Sequence, residues 1–442
     1  MTPITDSFLK AFATDKLVLD CPHILLRQNK FSRPRLIEGK GKIFLPKGAV
    51  FFQLHVVSDR DVDGDYPPSL EGLRAFLEER TTAGEIVPPD QYFNLEATDS
   101  LGHDWTCKIL KITTQDHDNS TITFYLYDVL TCRKSGLEKI LPTLMSMYFF
   151  QDLKVPFTTF DAGVFKFDVQ QSASDKGSTI LHVLPSDGSL PEGIETRVEE
   201  SLRYVTFSPI RWCIVVKESC GIREVTVAPK RLTKEARFYD PPIDTVDSWA
   251  LFSAYFLHIV SFKEQTNYHP LSAQLFQLIS TETQHIDLMG LLVSVAVEGV
   301  LSCFEFKGIA EPSATLKNNL DQIKKIINRL KCSDEILAKR LQGVLPGMKS
   351  SRAKDKLKYL EEIGLLTGDM VRTWDKLRNT TTHASIRIDP TTIPANWNQC
   401  LTVYTMLNLL VFQAIGYSGS YRDFSSYGWP IRHHHKKSVA RS

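Results

Sequence analysis

The 442-residue chain has no apolar run approaching the ~18 residues that a membrane-spanning helix needs, so no membrane partner is expected. It has no C-x-x-C pair. Its eight cysteines are dispersed at Cys21, Cys107, Cys132, Cys213, Cys220, Cys303, Cys332 and Cys400, and the closest two, in CIVVKESC, are separated by six residues. That spacing argues against structural zinc and for reduced thiols in a cytosolic core. Nor is there an excess of charge: 52 Lys and Arg stand against 51 Asp and Glu, for a net charge of +1. Bulk electrostatics therefore demands neither a nucleic acid nor a membrane, and any anion binding must come from local patches. The first residues, MTPITDSFLKAFATDKL, mix acids and bases and lack the basic-then-apolar order of a signal peptide, so the expected location is the cytoplasm. No internal repeat is visible.

What is present divides into two periodicities. Residues 40–230 carry strand-like segments rich in β-branched and aromatic residues: GKIFLPKGAVFFQLHVV, TITFYLYDVL, GVFKFDV, STILHVL, RYVTFSPIRWCIVV and REVTVAP. YFNLEATDSLGHDWTCKILKI predicts a hairpin turning near Asp99 to Gly102. LEGLRAFLEER and LEKILPTLMSMYFF are expected as helices inserted among these strands. After FYDPPIDTVD, which reads as a linker, apolar residues repeat every three or four positions in six long segments, the first beginning at Ser248. The expected fold class is α+β and multidomain. An antiparallel β-rich region spans 1–240, as one or two subdomains, followed by an all-α helical bundle at 241–420 and a loop with a basic tail at 421–442.

Three motifs resemble sites and fail on spacing. DRDVDGD (Asp59–Asp65) opens like a calcium loop, but its twelfth position is Leu70 and prolines follow, so it reads as an acidic loop between strands. GVLPGMKS (Gly343–Ser350) lacks the phosphate-loop spacing because Met348 intervenes. His433 to His435 have no carboxylate or cysteine partner nearby in sequence and read as a solvated tail. No metal and no cofactor is expected. Between Asp321 and Lys358, eleven Lys and Arg face four acidic residues. Such runs are most often the solvated faces of helices. This one also makes Lys324, Lys325, Arg329, Arg352 and Lys356 candidates for contacting a polyanion such as RNA.

The run adjoins LRNTTTHAS, Leu377 to Ser385. Three successive β-branched threonines are unfavourable inside a helix, so Thr380 to Thr382 are expected to end or distort it. On an unbroken helix, Arg378 and His383 would point to sides roughly 140° apart; a break lets them converge on one anion. By spacing alone, an arginine complementing a helix C-terminus and a loop histidine explain the segment better, since an arginine followed five residues later by a histidine is a frequent accident. Asn379-Thr380-Thr381 is also formally a glycosylation sequon.

A C-terminal helical region carrying R-N-x-x-x-H, preceded by WDKL and by an apolar helix with Glu298, resembles the HEPN family over roughly Ser248 to Tyr417. With a β-rich N-terminal region containing GKIFLP and FNLEATDSLGHDWTCKIL, the whole chain is similar to ApeA-type bacterial defence proteins. The resemblance implies a metal-independent RNA endonuclease acting in abortive anti-phage immunity. Arg378, Asn379, His383 and Glu298 would form its catalytic set, working as a homodimer because such motifs commonly face one another. It further implies a regulatory N-terminal region answering to a phage-derived protein trigger. The alternative is a non-catalytic scaffold or nucleotide- or RNA-binding module of the same fold.

Overall fold

The computed structural model describes residues 5–29, 34–46, 49, 51–62, 92–115, 121–133, 141–172, 177–229, 239–262, 268–281, 285–304, 314–329, 352–382 and 393–436; for 114–115, 314–317, 328–329 and 381–382 it describes the backbone alone. The expected helix over 70–80, the GVLPGMKS segment and His383 lie outside the described residues. The chain divides into two compact units. One comprises Met1–Glu195 and Ile210–Thr233, the other Thr196–Pro209 and Lys234–Ser442.

In the first unit, α1 (Asp6–Ala13), capped by the Thr5 hydroxyl, precedes β1 (Val18–Gln28), β2 (Leu36–Phe44), β3 (Phe52–Val62), β4 (Phe93–Thr98), β5 (Asp104–Gln115) and β6 (Thr121–Leu126). The strands pair in the order β4-β1-β2-β3-β6-β5, and β5 pairs again with β4, closing a six-stranded antiparallel barrel. Closure leaves no free edge among these strands. Alternate residues point inward: Leu54, Val56, Leu95, Ile122, Phe124 and Leu126 are all buried, joined by Phe8, Leu9 and Phe12 of α1. Tight curvature explains the G-x-G of β2. A Cβ on Gly39 or Gly41 would collide with the carbonyl oxygens of Val57 and His55 on β3.

The expected hairpin exists as β4 and β5, with the turn where the sequence places it. Asp99, 5% exposed, accepts bonds from Leu101 N, His103 N and Trp105 Nε1 at 2.9–3.0 Å. Burial alone would raise its carboxyl pKa, but these bonds and the His103 ring hold it below the ordinary value.

From β5 the sheet continues through β7 (Leu130–Arg133) into a second group: β8 (Leu144–Phe149), β9 (Thr159–Ala162), β10 (Phe165–Gln171), β11 (Thr179–Pro185), β12 (Ile214–Ser219) and β13 (Ile222–Val227). Their order is β7-β13-β12-β8-β11-β10-β9. Two expectations are corrected here. LEKILPTLMSMYFF is not a helix over its described part. Leu144–Phe149 is a central strand between β12 and β11, where its near-continuous apolar run is buried on both faces. RYVTFSPIRWCIVV is not one strand either. Its first four residues complete α2 (Ile194–Thr206), and only Ile214 onward is β12. DRDVDGD is also corrected in part, because Asp59–Val62 belong to β3 and Asp61 is held bidentately by Arg35 at 3.1 and 2.5 Å.

The second unit takes most of α2 together with α3 (Ser248–Ile259), α4 (Pro270–Ser280), α5 (Ile286–Ser302), α6 (Ala314–Arg329), α7 (Ala353–Glu362), α8 (Gly368–Thr382) and α9 (Ile393–Ile415). The domain boundary expected at 240 is therefore corrected: the helical unit also claims Thr196–Pro209 from the β-rich stretch. Its centre is α9, in which every residue from Val403 to Gln413 is buried, as suits a helix that is apolar all round. α5 packs on α9, α8 and α4, and α8 packs on α9 and α7. A hairpin of β14 (Gly419–Arg422) and β15 (Ile431–His434) follows. Within 421–442, Tyr421–Arg422 and Ile431–His434 are thus strands joined by a turn, and His434 is buried rather than solvated. Among the described residues, no helix is long and apolar enough to cross a membrane.

Candidate functional site

Of the expected catalytic residues, Glu298 sits on α5 and Arg378 and Asn379 sit on the adjoining α8. Along α8, Trp374 and Arg378 are four residues apart and lie one above the other on one face. Along α5, Ser294 and Glu298 share the same spacing. The pairs meet in register. Trp374, 2% exposed, donates its indole N–H to the Ser294 carbonyl at 3.3 Å, and one turn further Arg378 Nε donates to Glu298 Oε1. The Arg378 guanidinium carbon lies 5.9 Å from the Trp374 ring centroid, so the arginine rests between an aromatic shelf and a carboxylate. The side chains of Arg378 and Glu298 are 43% and 33% exposed, so the pair stands at the rim of the core with one side open to solvent.

All three threonines lie on this helix, which ends with them. α8 runs through Thr380 to its last residue, Thr382. Thr380 meets the cost of a helical β-branched residue by donating its hydroxyl back to the Lys376 carbonyl at 2.8 Å. His383 lies outside the described residues. Asn379 is exposed on α8 beside Arg378.

Of the basic candidates, Lys356 contacts α5, the helix that carries Glu298. Its ammonium donates to the Leu301 carbonyl at 3.5 Å, three residues beyond Glu298 on α5. Lys354 on the same helix is held by Asp375 of α8 at 2.7 Å. Arg352 caps α7, its backbone N–H bonded to Asp355 at 3.1 Å. Lys324 and Lys325 are exposed on α6, and the side chain of Arg329 lies outside the described residues.

Trp374 received no role from sequence, although its four-residue spacing to Arg378 was a readable signal. A second polar cluster had none. On α2, Arg197 pairs with Glu200 at 2.5 Å, their side chains 4% and 0% exposed. Glu200 also accepts from Ser272 Oγ at 2.6 Å and from His269 N at 3.3 Å, and Ser272 bonds Tyr255 at 2.9 Å. Burial raises the Glu200 pKa against these bonds. With both Glu200 oxygens occupied, the cluster anchors α2 to α3 and α4.

The first unit carries an open cleft of about 1140 Å³ on the outer face of the sheet, whose lining includes Glu38, Arg60, Glu96, Lys108, Arg133 and Glu224. Arg133 and Glu224 approach each other at 3.9 Å. Among the described residues, no group of three or more His, Cys, Asp or Glu side chains is placed to hold a metal ion.

No family model matches the chain, and neither a curated protein nor a solved structure matches it.

Proposed function

We propose that this chain is a metal-independent RNA endonuclease of the HEPN type, acting in bacterial anti-phage defence. The observation that carries the proposal is the Glu298–Arg378 pair across α5 and α8, seated beside Trp374 and partly open to solvent. Two residues singled out 80 positions apart, for chemistry, are partners in space.

RNA brings its own nucleophile. His383 takes the proton of a 2′-hydroxyl, the oxygen attacks the adjacent phosphorus, the bond to the 5′-oxygen breaks, and the departing 5′-oxygen takes up a proton from water. The products are a 2′,3′-cyclic phosphate and a 5′-hydroxyl. A histidine near its ordinary pKa of about 6.5 exchanges this proton at neutral pH. Arg378 remains charged and presents planar N–H donors to the charge that grows on the phosphate oxygens. Glu298 orients that guanidinium through Nε and touches no substrate, so it is a positioning residue. Asn379 contributes a hydrogen bond to the phosphate or to His383. A second copy of the chain would bring two such motifs face to face. The β-rich unit then acts as regulator, with its cleft as the surface that meets a phage-derived protein.

The test is cleavage of cellular RNA by the full chain in EDTA, compared with Arg378→Ala and His383→Ala. Loss of about a hundredfold or more in each variant supports the proposal. Unchanged cleavage in both removes the site. No cleavage of any RNA by the wild type, with phage protein present, favours the non-catalytic scaffold.

A further inference from the structure

The β14–β15 hairpin presents two histidines side by side. Side chains alternate along β15, and His434 turns inward, its ring 5.7 Å from that of Phe412. His433 and His435 therefore point outward together. Both are exposed, and their rings stack at 4.5 Å with 30° between the planes. Among the described residues, neither ring makes a hydrogen bond.

The charges around the pair favour a cation. Ser420 lies opposite His433 and Arg422 opposite Ile431, and residues directly opposite in an antiparallel pair share a face. Arg422 is paired with Asp244, and the Ser420 hydroxyl donates to Asp247. The Asp247 carboxylate is thus the charge left beside the imidazoles on this face. The neighbouring cations are drawn elsewhere. Arg432 Nε reaches the buried Asp423 at 2.5 Å, and the Lys436 ammonium lies over Gly416, just past the C-terminus of α9.

The hairpin itself is held firmly. Asp423 also accepts from Ser425 N at 3.0 Å and Ser426 Oγ at 2.8 Å, which fixes the turn, while Tyr421 and His434 are buried beneath the strands. The two imidazoles project from backbone that folding has already ordered, so little further ordering opposes a shared ligand.

Two imidazoles on one face of a strand form a chelating pair. Each neutral ring offers one lone-pair nitrogen to a metal. Zinc–nitrogen bonds of about 2.0–2.1 Å let one ion span nitrogens up to about 4 Å apart. The 4.5 Å ring separation is close to that span, so small rotations of the side chains suffice. Imidazole suits zinc, copper and nickel, whereas magnesium and calcium take oxygen ligands.

We propose that the hairpin binds one late first-row divalent metal ion through His433 and His435. Water completes the coordination shell, and Asp247 supplies the neighbouring negative charge. The site is independent of the nuclease reading, which needs no metal.

Calorimetric titration of the full chain with zinc chloride, and separately with copper(II) chloride, tests this. One ion should bind per chain, copper more tightly than zinc, with no binding of magnesium. His433→Ala and His435→Ala each leave a single imidazole and should weaken binding about tenfold or more. His23→Ala, which removes an exposed histidine of the first unit, should bind as wild type does. Zinc should raise the melting temperature of the wild type and leave that of the His433→Ala/His435→Ala variant unchanged. Electron paramagnetic resonance of the one-to-one copper complex should show two imidazole nitrogens, a readout that needs no variant to fold. Wild-type affinity in either hairpin variant, an equal loss in His23→Ala, or a copper signal without imidazole nitrogens overturns the site. So does the absence of zinc and copper binding by the wild type.

Discussion

Arg378 donates through Nε to Glu298 one helical turn beyond the point where Trp374 bonds the Ser294 carbonyl. The two contacts do different physical work. The indole bond is buried and fixes the register of α8 on α5. The ion pair is partly exposed, where such pairs contribute only about 0–1 kcal/mol, so its main consequence is the direction in which the guanidinium points.

Glu298→Ala should therefore lower RNA cleavage about tenfold while shifting the stability of the chain by less than about 1 kcal/mol. Glu298→Gln keeps an acceptor for Arg378 Nε and should recover most of the rate. Initial rates and urea midpoints on the same preparations check this, and wild-type cleavage by Glu298→Ala would remove its positioning role.

Arg197→Met strands the Glu200 carboxylate in the core and should cost about 3–5 kcal/mol in urea unfolding. Adding Glu200→Leu removes the stranded charge and should restore much of that loss. A double variant no more stable than Arg197→Met would show that packing around Arg197, which lies over the Phe262 ring at 5.2 Å, matters more than charge.

A fragment beginning at residue 241 should fail to fold stably. It lacks the part of α2 that gives the helical unit Val198, Leu202, Tyr204 and Val205, all buried, and the Tyr204 hydroxyl bond to Asn408 at 3.2 Å. Circular dichroism and thermal melting of residues 241–442 check this; a cooperative melt near that of the full chain contradicts it. The proposed regulatory role of the β-rich unit is consequently better probed with point variants of the cleft in the intact chain.

Acid should destabilise the chain through His269. Burial first, then His258 and Arg197, depress its pKa from 6.5 to about 4. A depressed histidine stays neutral when folded but gains a proton when unfolded. Its contribution is complete above pH 6.5 and is lost as pH falls from 6.5 toward about 4. His258, also depressed by burial, adds in the same direction. Melting temperature against pH should show a shallower fall over this range for His269→Asn than for wild type.

Thiol labelling at neutral pH should reach Cys220, exposed in the β12–β13 turn, well before Cys21, Cys107, Cys132 and Cys400. Burial raises those four thiols to about 12, leaving little thiolate to react. Peptide mapping by mass spectrometry reads the order. Early modification of Cys107 or Cys132 would mean that the barrel opens.

Much of the fold was legible in local pattern. The hairpin at Asp99 to Gly102 announced itself through alternation on either side of a turn, and the six long helical segments of the second half through their three- and four-residue spacing. Local pattern failed where burial overrides it. Leu144–Phe149 is apolar on both faces because it is a central strand, and a short apolar run of that kind has no periodicity to separate it from a helix. Arg203 to Thr206 are rich in strand formers yet end a helix, held by Tyr204 in the core and Arg203 paired to Glu199 at 2.7 Å. Thr380 is accommodated in the last turn of its helix by a hydroxyl bond to the Lys376 carbonyl, a contact that propensity ignores.

By itself, then, the sequence determined the α+β division, most elements and the identities of Arg378 and Glu298 as a chemical pair worth testing. Only tertiary structure decided that the barrel closes, that α2 belongs with the helices, that Trp374 shelves Arg378, and that the histidine run alternates between core and surface. Those four outcomes rest on contacts between residues far apart in the chain. Periodicity reports which face of an element is apolar; it carries no information on what that face will meet.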